Sequence, residues 1–220
     1  MNISIIARRP FFDIFYKSPS MPSFLRLALI DSLSFDSNRS IGGPINNFLN
    51  HKFLKQRINQ GLKPFLTEIN EVHKEGNHIT SMLSVSDLIQ IGGAAAIEYS
   101  GGPKISVKTG RPEVSYNLSE NSAFPDVDFD IHDIKSRYSS LGLSSTEVVA
   151  LFGYRTLGFL SNKLENKEYR WTGNPFVFDN TYYSELMNPN SEYLKTTSDK
   201  ALLNDSEYLE IISKFANDQR

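Results

Sequence analysis

Cysteine is absent from the 220 residues. That excludes disulfides, thiolate metal sites and cysteine nucleophiles, and it leaves the redox compartment open. Excess charge is absent too: 23 Lys and Arg face 25 Asp and Glu, a formal net charge of −2. There is no bulk electrostatic case for nucleic acid as a partner. No apolar run reaches membrane-span length. Internal repeats and low-complexity runs are missing, and strand signals are few. What remains is 40% hydrophobic residues, enough for a real core in one large domain or two small ones.

The first 20 residues hold Phe11, Phe12, Phe15 and Tyr16 between Pro10 and Pro19. They read as poor helix, yet greasy for a free tail. We expect residues 1–20 to be a candidate docking arm or a self-packing segment, and 21–220 to be a helical domain. Arg8-Arg9 followed by aromatics has the outline of a twin-arginine export address. Asp13 and Lys17 interrupt the apolar stretch such a signal needs.

From Pro22 a helix carries Leu25, Leu27, Ala28, Leu29, Ile30 and Leu33. Residues 34–44 read as loop. The spacing of apolar residues predicts a long helix from Asn47 to His73, kinked at Pro64. Ser84 to Tyr99 is apolar nearly all round, which implies burial on most faces, and Gly101-Gly102-Pro103 stops it. Residues 103–128 read as extended and polar. Ser144 to Arg155 opens on a capping box, Ser144 with Glu147. Shorter helices are expected at Thr181–Met187, Ser198–Leu203 and Ser206–Ala216. The class is mostly α.

Several blocks give this chain a family likeness. Ala150-Leu151-Phe152-Gly153-Tyr154-Arg155-Thr156-Leu157-Gly158 is one. Others are Arg26-Leu27-Ala28-Leu29-Ile30, Asn59-Gln60-Gly61, Ala94-Ala95-Ala96-Ile97-Glu98 with Gly101-Gly102-Pro103, and Gly110-Arg111. Trp171-Thr172-Gly173-Asn174-Pro175 running on to Tyr183, and Ser198-Asp199-Lys200-Ala201-Leu202-Leu203, complete the set. In this order they resemble the class I plant-type haem peroxidases, ascorbate peroxidases above all, from about Pro22 to Gln219. The resemblance implies a haem-peroxidase-like helical fold whose first and last helices are reduced or missing. The uncovered apolar face that a missing last helix leaves would favour a partner.

The resemblance also implies a chemistry that these residues fail to supply. Peroxide cleavage on haem needs a distal base, a distal cation and an iron ligand behind the ring. The distal Arg is kept as Arg26. The distal Trp and His fall at Leu29 and Ile30, and Asn59 has lost the histidine it would orient. The iron-ligand histidine falls at Arg155, which never deprotonates and has no lone pair to give. The proximal Trp and Asp are kept as Trp171 and Asp199. We expect Asp199 to pair with Arg155, because an unpaired buried carboxylate is costly. The substrate arginine falls at Leu164. Tyr154 is one residue along and should point elsewhere, and His51, His73, His78 and His132 lie outside the haem site.

A cation site, potassium in ascorbate peroxidase, maps onto Thr156, Thr172, Asn174, the Val177 carbonyl and Asp179. Oxygen-only ligands suit a hard ion such as potassium or calcium. The expectation is a chain without haem, with that cation as its one candidate cofactor. It would act as a structural or interaction subunit of a larger membrane-associated complex. The resemblance extends to haem-less peroxidase-like proteins of the plastid, on the lumen side of the thylakoid near the photosystems. Mitochondria are the alternative location. Alternative activities are a haem peroxidase with non-standard ligation, or a pigment or small-molecule binder in the former haem cavity.

Overall fold

The structure is a computed structural model and describes residues 3–49, 54–55, 59, 61–114, 127–162 and 167–219. The described residues are mostly helical. The chain separates into two compact units, Met1–Phe124 and Pro125–Arg220.

The first unit holds α1 (Ile3–Ile6), α2 (Arg9–Lys17), α3 (Met21–Ser32), α4 (Lys63–Glu75), α5 (His78–Met82) and α6 (Val85–Tyr99). Helix α6 is its spine, buried from Val85 to Ile97 apart from Gln90. Ser84 caps its first turn by accepting the Asp87 amide at 3.1 Å. Gly101, at φ +95°, ends it, and the Gly102 amide reaches back to the Ile97 carbonyl. Asp87, itself buried, accepts the Gly110 amide and pairs with Arg111 at 3.0 Å. That bond ties the Gly110-Arg111 block to the start of α6. Helices α3 and α6 meet where Gly93 faces Ala28. A Cβ on Gly93 would stand 2.4 Å from the Ala28 Cβ, so only glycine fits that crossing.

The N-terminal segment differs from its reading as poor helix. Pro10 sits in the first turn of α2, where its missing N–H is harmless. Phe11 and Phe15, one turn apart, are buried against Phe24 with ring centroids at 5.7 and 5.2 Å. The greasy face of this segment is therefore packed on its own unit. Tyr16 alone of the four aromatics is fully outside, at 85% exposure. Arg8 is buried, with Nη1 donating to Glu98 and Nη2 to the Ile105 carbonyl. Half of the twin-arginine pair is thus a structural anchor.

Among the described residues, the predicted helix over 47–73 is not continuous. Asn47–Leu49 is a 3-10 turn, and α4 starts at Lys63 with Pro64 in its first turn. Pro64 opens a helix rather than kinking one, and Gly61 at φ +82° turns the chain into it. The residues between, His51 among them, lie largely outside the described set.

The second unit holds α7 (Ile131–Ser140), α8 (Ser145–Phe152), a 3-10 turn Gly153–Thr156, an antiparallel hairpin β1 (Phe159–Asn162) and β2 (Lys167–Arg170), α9 (Thr181–Met187), α10 (Thr197–Leu203) and α11 (Ser206–Asn217). Helix α7 and the hairpin are absent from the sequence reading. Helix α7 buries Ile134 and Tyr138, one turn apart, under a polar surface, and Asp130 caps it. Such a stretch carries too few apolar residues to show a period. The capping box at α8 is formed: Ser144 N donates to Glu147 Oε2, and Glu147 N to Ser144 Oγ. The Ser144 amide and hydroxyl, both donating to Glu147 Oε2, hold the Glu147 carboxyl below its usual range. The helix ends at Phe152, and Arg155 belongs to the 3-10 turn instead.

Candidate functional site

The centre of the second unit is a buried charge. Arg155 and Asp199 are both fully buried, and Arg155 Nη1 donates to Asp199 Oδ1. The expected pair is present. Two local structures deliver it. The tightened turn after α8 swings Arg155 inward, and Gly153 lets the turn lie against Tyr183. A Cβ on Gly153 would fall 2.3 Å from the Tyr183 hydroxyl, which donates to the Val149 carbonyl at 2.9 Å. Asp199 sits at the third position of α10 in a capping box with Thr196.

Five donors converge on the Asp199 carboxylate. Oδ1 accepts from Arg155 and from the Tyr182 hydroxyl at 2.7 Å. Oδ2 accepts from Trp171 Nε1 at 3.0 Å, from the Thr196 amide at 2.7 Å and from Thr196 Oγ1 at 2.8 Å. Ser198 Oγ takes the second arm of the guanidinium, Nη2, at 3.0 Å. The guanidinium carbon also lies 4.8 Å from the Phe152 ring centroid and 5.4 Å from that of Trp171. Tyr154, expected to point elsewhere, continues the same tight turn, and its ring is 5.8 Å away. Arg155 Nε has no acceptor among the described residues.

Burial works against the charged guanidinium, but the adjacent Asp199 carboxylate outweighs it and holds the Arg155 proton firmly. The Tyr182 hydroxyl is pushed well above its usual value, first by burial and then by the Asp199 charge. Neither the Arg155 guanidinium nor the Tyr182 hydroxyl exchanges a proton near neutrality. The arrangement is a neutral, hydrogen-bonded ion pair, and it presents no lone pair to a metal.

One prediction follows from the donor count. Tyr182→Phe removes a single neutral donor while the carboxylate keeps its charged partner. It should cost about 1–1.5 kcal/mol in urea unfolding. A loss above 3 kcal/mol would mean that the tyrosine, not the arginine, is the principal partner.

The remaining candidates from the sequence fall as follows. Trp171 is in the cluster. Arg26 and Leu29 are half-buried on α3, Ile30 is fully buried, and Asn59 is buried. These four belong to the first unit. Leu164 lies outside the described residues. Of the five cation positions, the structure gathers three: Thr156 Oγ1 lies 3.1 Å from Asp179 Oδ1 and 3.4 Å from the Val177 carbonyl. Thr172 Oγ1 donates instead to the Thr156 carbonyl at 3.2 Å. Asn174 is exposed, and its Oδ1 accepts the Phe176 amide. With one carboxylate, this set suits a monovalent ion better than calcium, which takes six to eight oxygens. Sequence reasoning placed His132 outside the haem site but passed over Asp130 and Asp133, and the ligand atoms of the three lie within 4.8 Å of one another at the start of α7. They are largely exposed, and Asp130 is engaged in capping that helix.

Comparison with known proteins adds the last observation. The family model described as Peroxidase matches residues 12–218. L-ascorbate peroxidase 3 of Arabidopsis thaliana is 32% identical over 97% of this chain and 73% of its own length. The cytosolic L-ascorbate peroxidase 1 of Oryza sativa subsp. indica is 31% identical, over 90% of this chain and 78% of its own. A probable peroxisomal L-ascorbate peroxidase 3 of Oryza sativa subsp. japonica is 30% identical over 97% and 72%.

Proposed function

The chain belongs to the plant-type, class I peroxidase family, and from that premise we propose that it is a haem-free, non-catalytic member acting as a structural or interaction subunit. The observation that carries this reading is the Arg155–Asp199 pair. Arg155 stands at the position that the family resemblance assigns to the iron ligand, with its guanidinium buried and paired. Haem in this family would supply peroxide cleavage. The residues present do not fit it: Arg155 offers no lone pair, and Ile30, at the distal base position, has no proton to move. Both changes disable the same reaction, while the structural neighbours Trp171 and Asp199 remain. No mechanistic step is derived through the cofactor.

The chain's own residues do something narrower. Arg155 supplies the positive charge that Asp199 requires, and Trp171, Tyr182 and Thr196 fix the carboxylate's orientation. The result is a rigid second unit that needs no added group at its centre. Such a unit is suited to being held by other proteins. The proposed setting is a plastid membrane complex on the thylakoid lumen side. That placement rests on the resemblance to haem-less plastid relatives.

The test is haemin titration of the purified full chain. We expect no stoichiometric Soret band and no peroxide-dependent oxidation of ascorbate. A saturable Soret band at one haem per chain would overturn the haem-free reading and favour non-standard ligation. For the interaction role, mild solubilisation of plastid membranes and native electrophoresis should place the chain in a band far above its 24.9 kDa. Migration only as the free chain would remove that part.

A further inference from the structure

The N-terminal helices of the first unit carry a surface row that their packing leaves open. Helices α1 and α2 run on almost without a break: the Arg8 amide donates to the Ile5 carbonyl at 3.3 Å and the Phe12 amide to the Arg8 carbonyl at 3.1 Å. Ser4, Ala7, Arg8, Phe11 and Phe15 recur at helical spacing and are buried. Beside that buried row lies a second one, Ile5, Arg9, Phe12 and Tyr16, at spacings of four, three and four. Ile5 and Tyr16 are exposed, and among the described residues no large hydrophobic side chain is more open than Tyr16. Phe12 is half-buried between them and rests on Tyr99, with ring centroids at 5.6 Å. Tyr99 is itself exposed, so it widens the apolar row onto the end of α6.

The charges around this row are mostly positive. Arg9 and Lys17 are exposed on α2, and the one exposed acid beside them on that helix is Asp13. Glu98 is occupied by Arg8 and also brings the exposed Lys104 to 3.6 Å. The whole chain carries a net charge of −2, so this face runs against the balance of the molecule. Single apolar residues scattered over a surface call for no explanation. A helical row of them, flanked by cations, does.

We propose that this face, built from Ile5, Phe12 and Tyr16 with Arg9, Lys17 and Lys104 around them, lies against an anionic lipid bilayer. The residue types choose lipid over another protein surface. Ile5 and the two rings supply a shallow apolar contact, and a tyrosine with its polar tip suits the depth where headgroups meet acyl chains. Arg9 and Lys17 have long apolar stems that lie along the surface while their charged ends reach lipid phosphates. That is the composition of an interfacial helix. The apolar contact is too small to hold alone, so charge is the required second signal and binding is reversible. The face uses no residue of the Arg155 cluster. It also goes beyond the subunit reading, which concerns protein partners.

The experiment is co-sedimentation of the full chain with vesicles of phosphatidylcholine containing about one-third phosphatidylglycerol, at low ionic strength. We expect saturable binding, at least tenfold weaker on pure phosphatidylcholine and in roughly 0.5 M salt. Ile5→Ser with Tyr16→Ser should weaken binding at least tenfold at unchanged Tm, because both side chains are exposed. Arg9→Gln and Lys17→Gln should each weaken it about fivefold. Leu209→Ser, at an exposed apolar position of α11, should leave it unchanged. Absence of binding to the anionic vesicles overturns the proposal, as does equal binding to neutral ones or full binding by the double serine variant. So does a lipid-free dimer in light scattering that the double serine variant abolishes, since the face would then belong to a second copy. No readout involves haem or a native complex, so this proposal and the subunit reading can fail separately.

Discussion

Replacing Arg155 with methionine is expected to destabilise the second unit by about 3–5 kcal/mol, the usual cost of stranding one half of a buried ion pair. The variant fills similar volume, so the loss is electrostatic rather than a cavity. Asp199 would keep four neutral donors, from Tyr182, Trp171 and Thr196, yet carry an unbalanced charge at full burial. The double variant Arg155→Met with Asp199→Asn should recover more than half of the loss, since no charge remains to strand. Urea unfolding of the four chains gives the coupling directly. A loss under 1 kcal/mol in the single variant would show that the guanidinium is not the counter-charge of this core.

The second large effect is expected at Phe24. Its ring meets Phe11, Phe15 and Phe65 with centroids at 5.7, 5.2 and 5.8 Å, joining α2, α3 and α4. Phe24→Ala should cost about 3–5 kcal/mol through lost burial and the cavity left behind. The cavity opens directly beneath α2, so that helix should loosen first. Limited proteolysis should cut near Arg9 and Lys17 in the variant well before any other site. Wild-type protection at both residues would mean α2 is held elsewhere, with Arg8 and Glu98 as the remaining anchor.

The pairing of Arg155 with Asp199 was legible in the sequence because the family resemblance fixed both positions and charge balance fixed their relation. Helix α6 was legible because its apolar residues run on every face, and α8 because its cap is written in two residues. Other parts were hidden for physical reasons. Helix α7 buries only Ile134 and Tyr138, so its period is drowned by polar surface. The strands of the hairpin are four residues each, and Phe159, Leu160 and Tyr169 are exposed rather than set in a core. The N-terminal aromatics gave composition but not destination: Phe11 and Phe15 needed the partner Phe24 to read as core. Pro64 marks a helix boundary equally well as a kink or as a start, and only the turn at Gly61 decides between them.

The ion pair has one more consequence, and it concerns supply. A protein whose central charge is neutralised by its own arginine completes its core as soon as the chain is made. Arg155, fully buried, balances Asp199 from within the chain. On the haem-free reading, accumulation of this protein in the cell should follow its synthesis and be indifferent to tetrapyrrole shortage. Starving cells of haem should therefore leave its level unchanged while haem-dependent relatives decline.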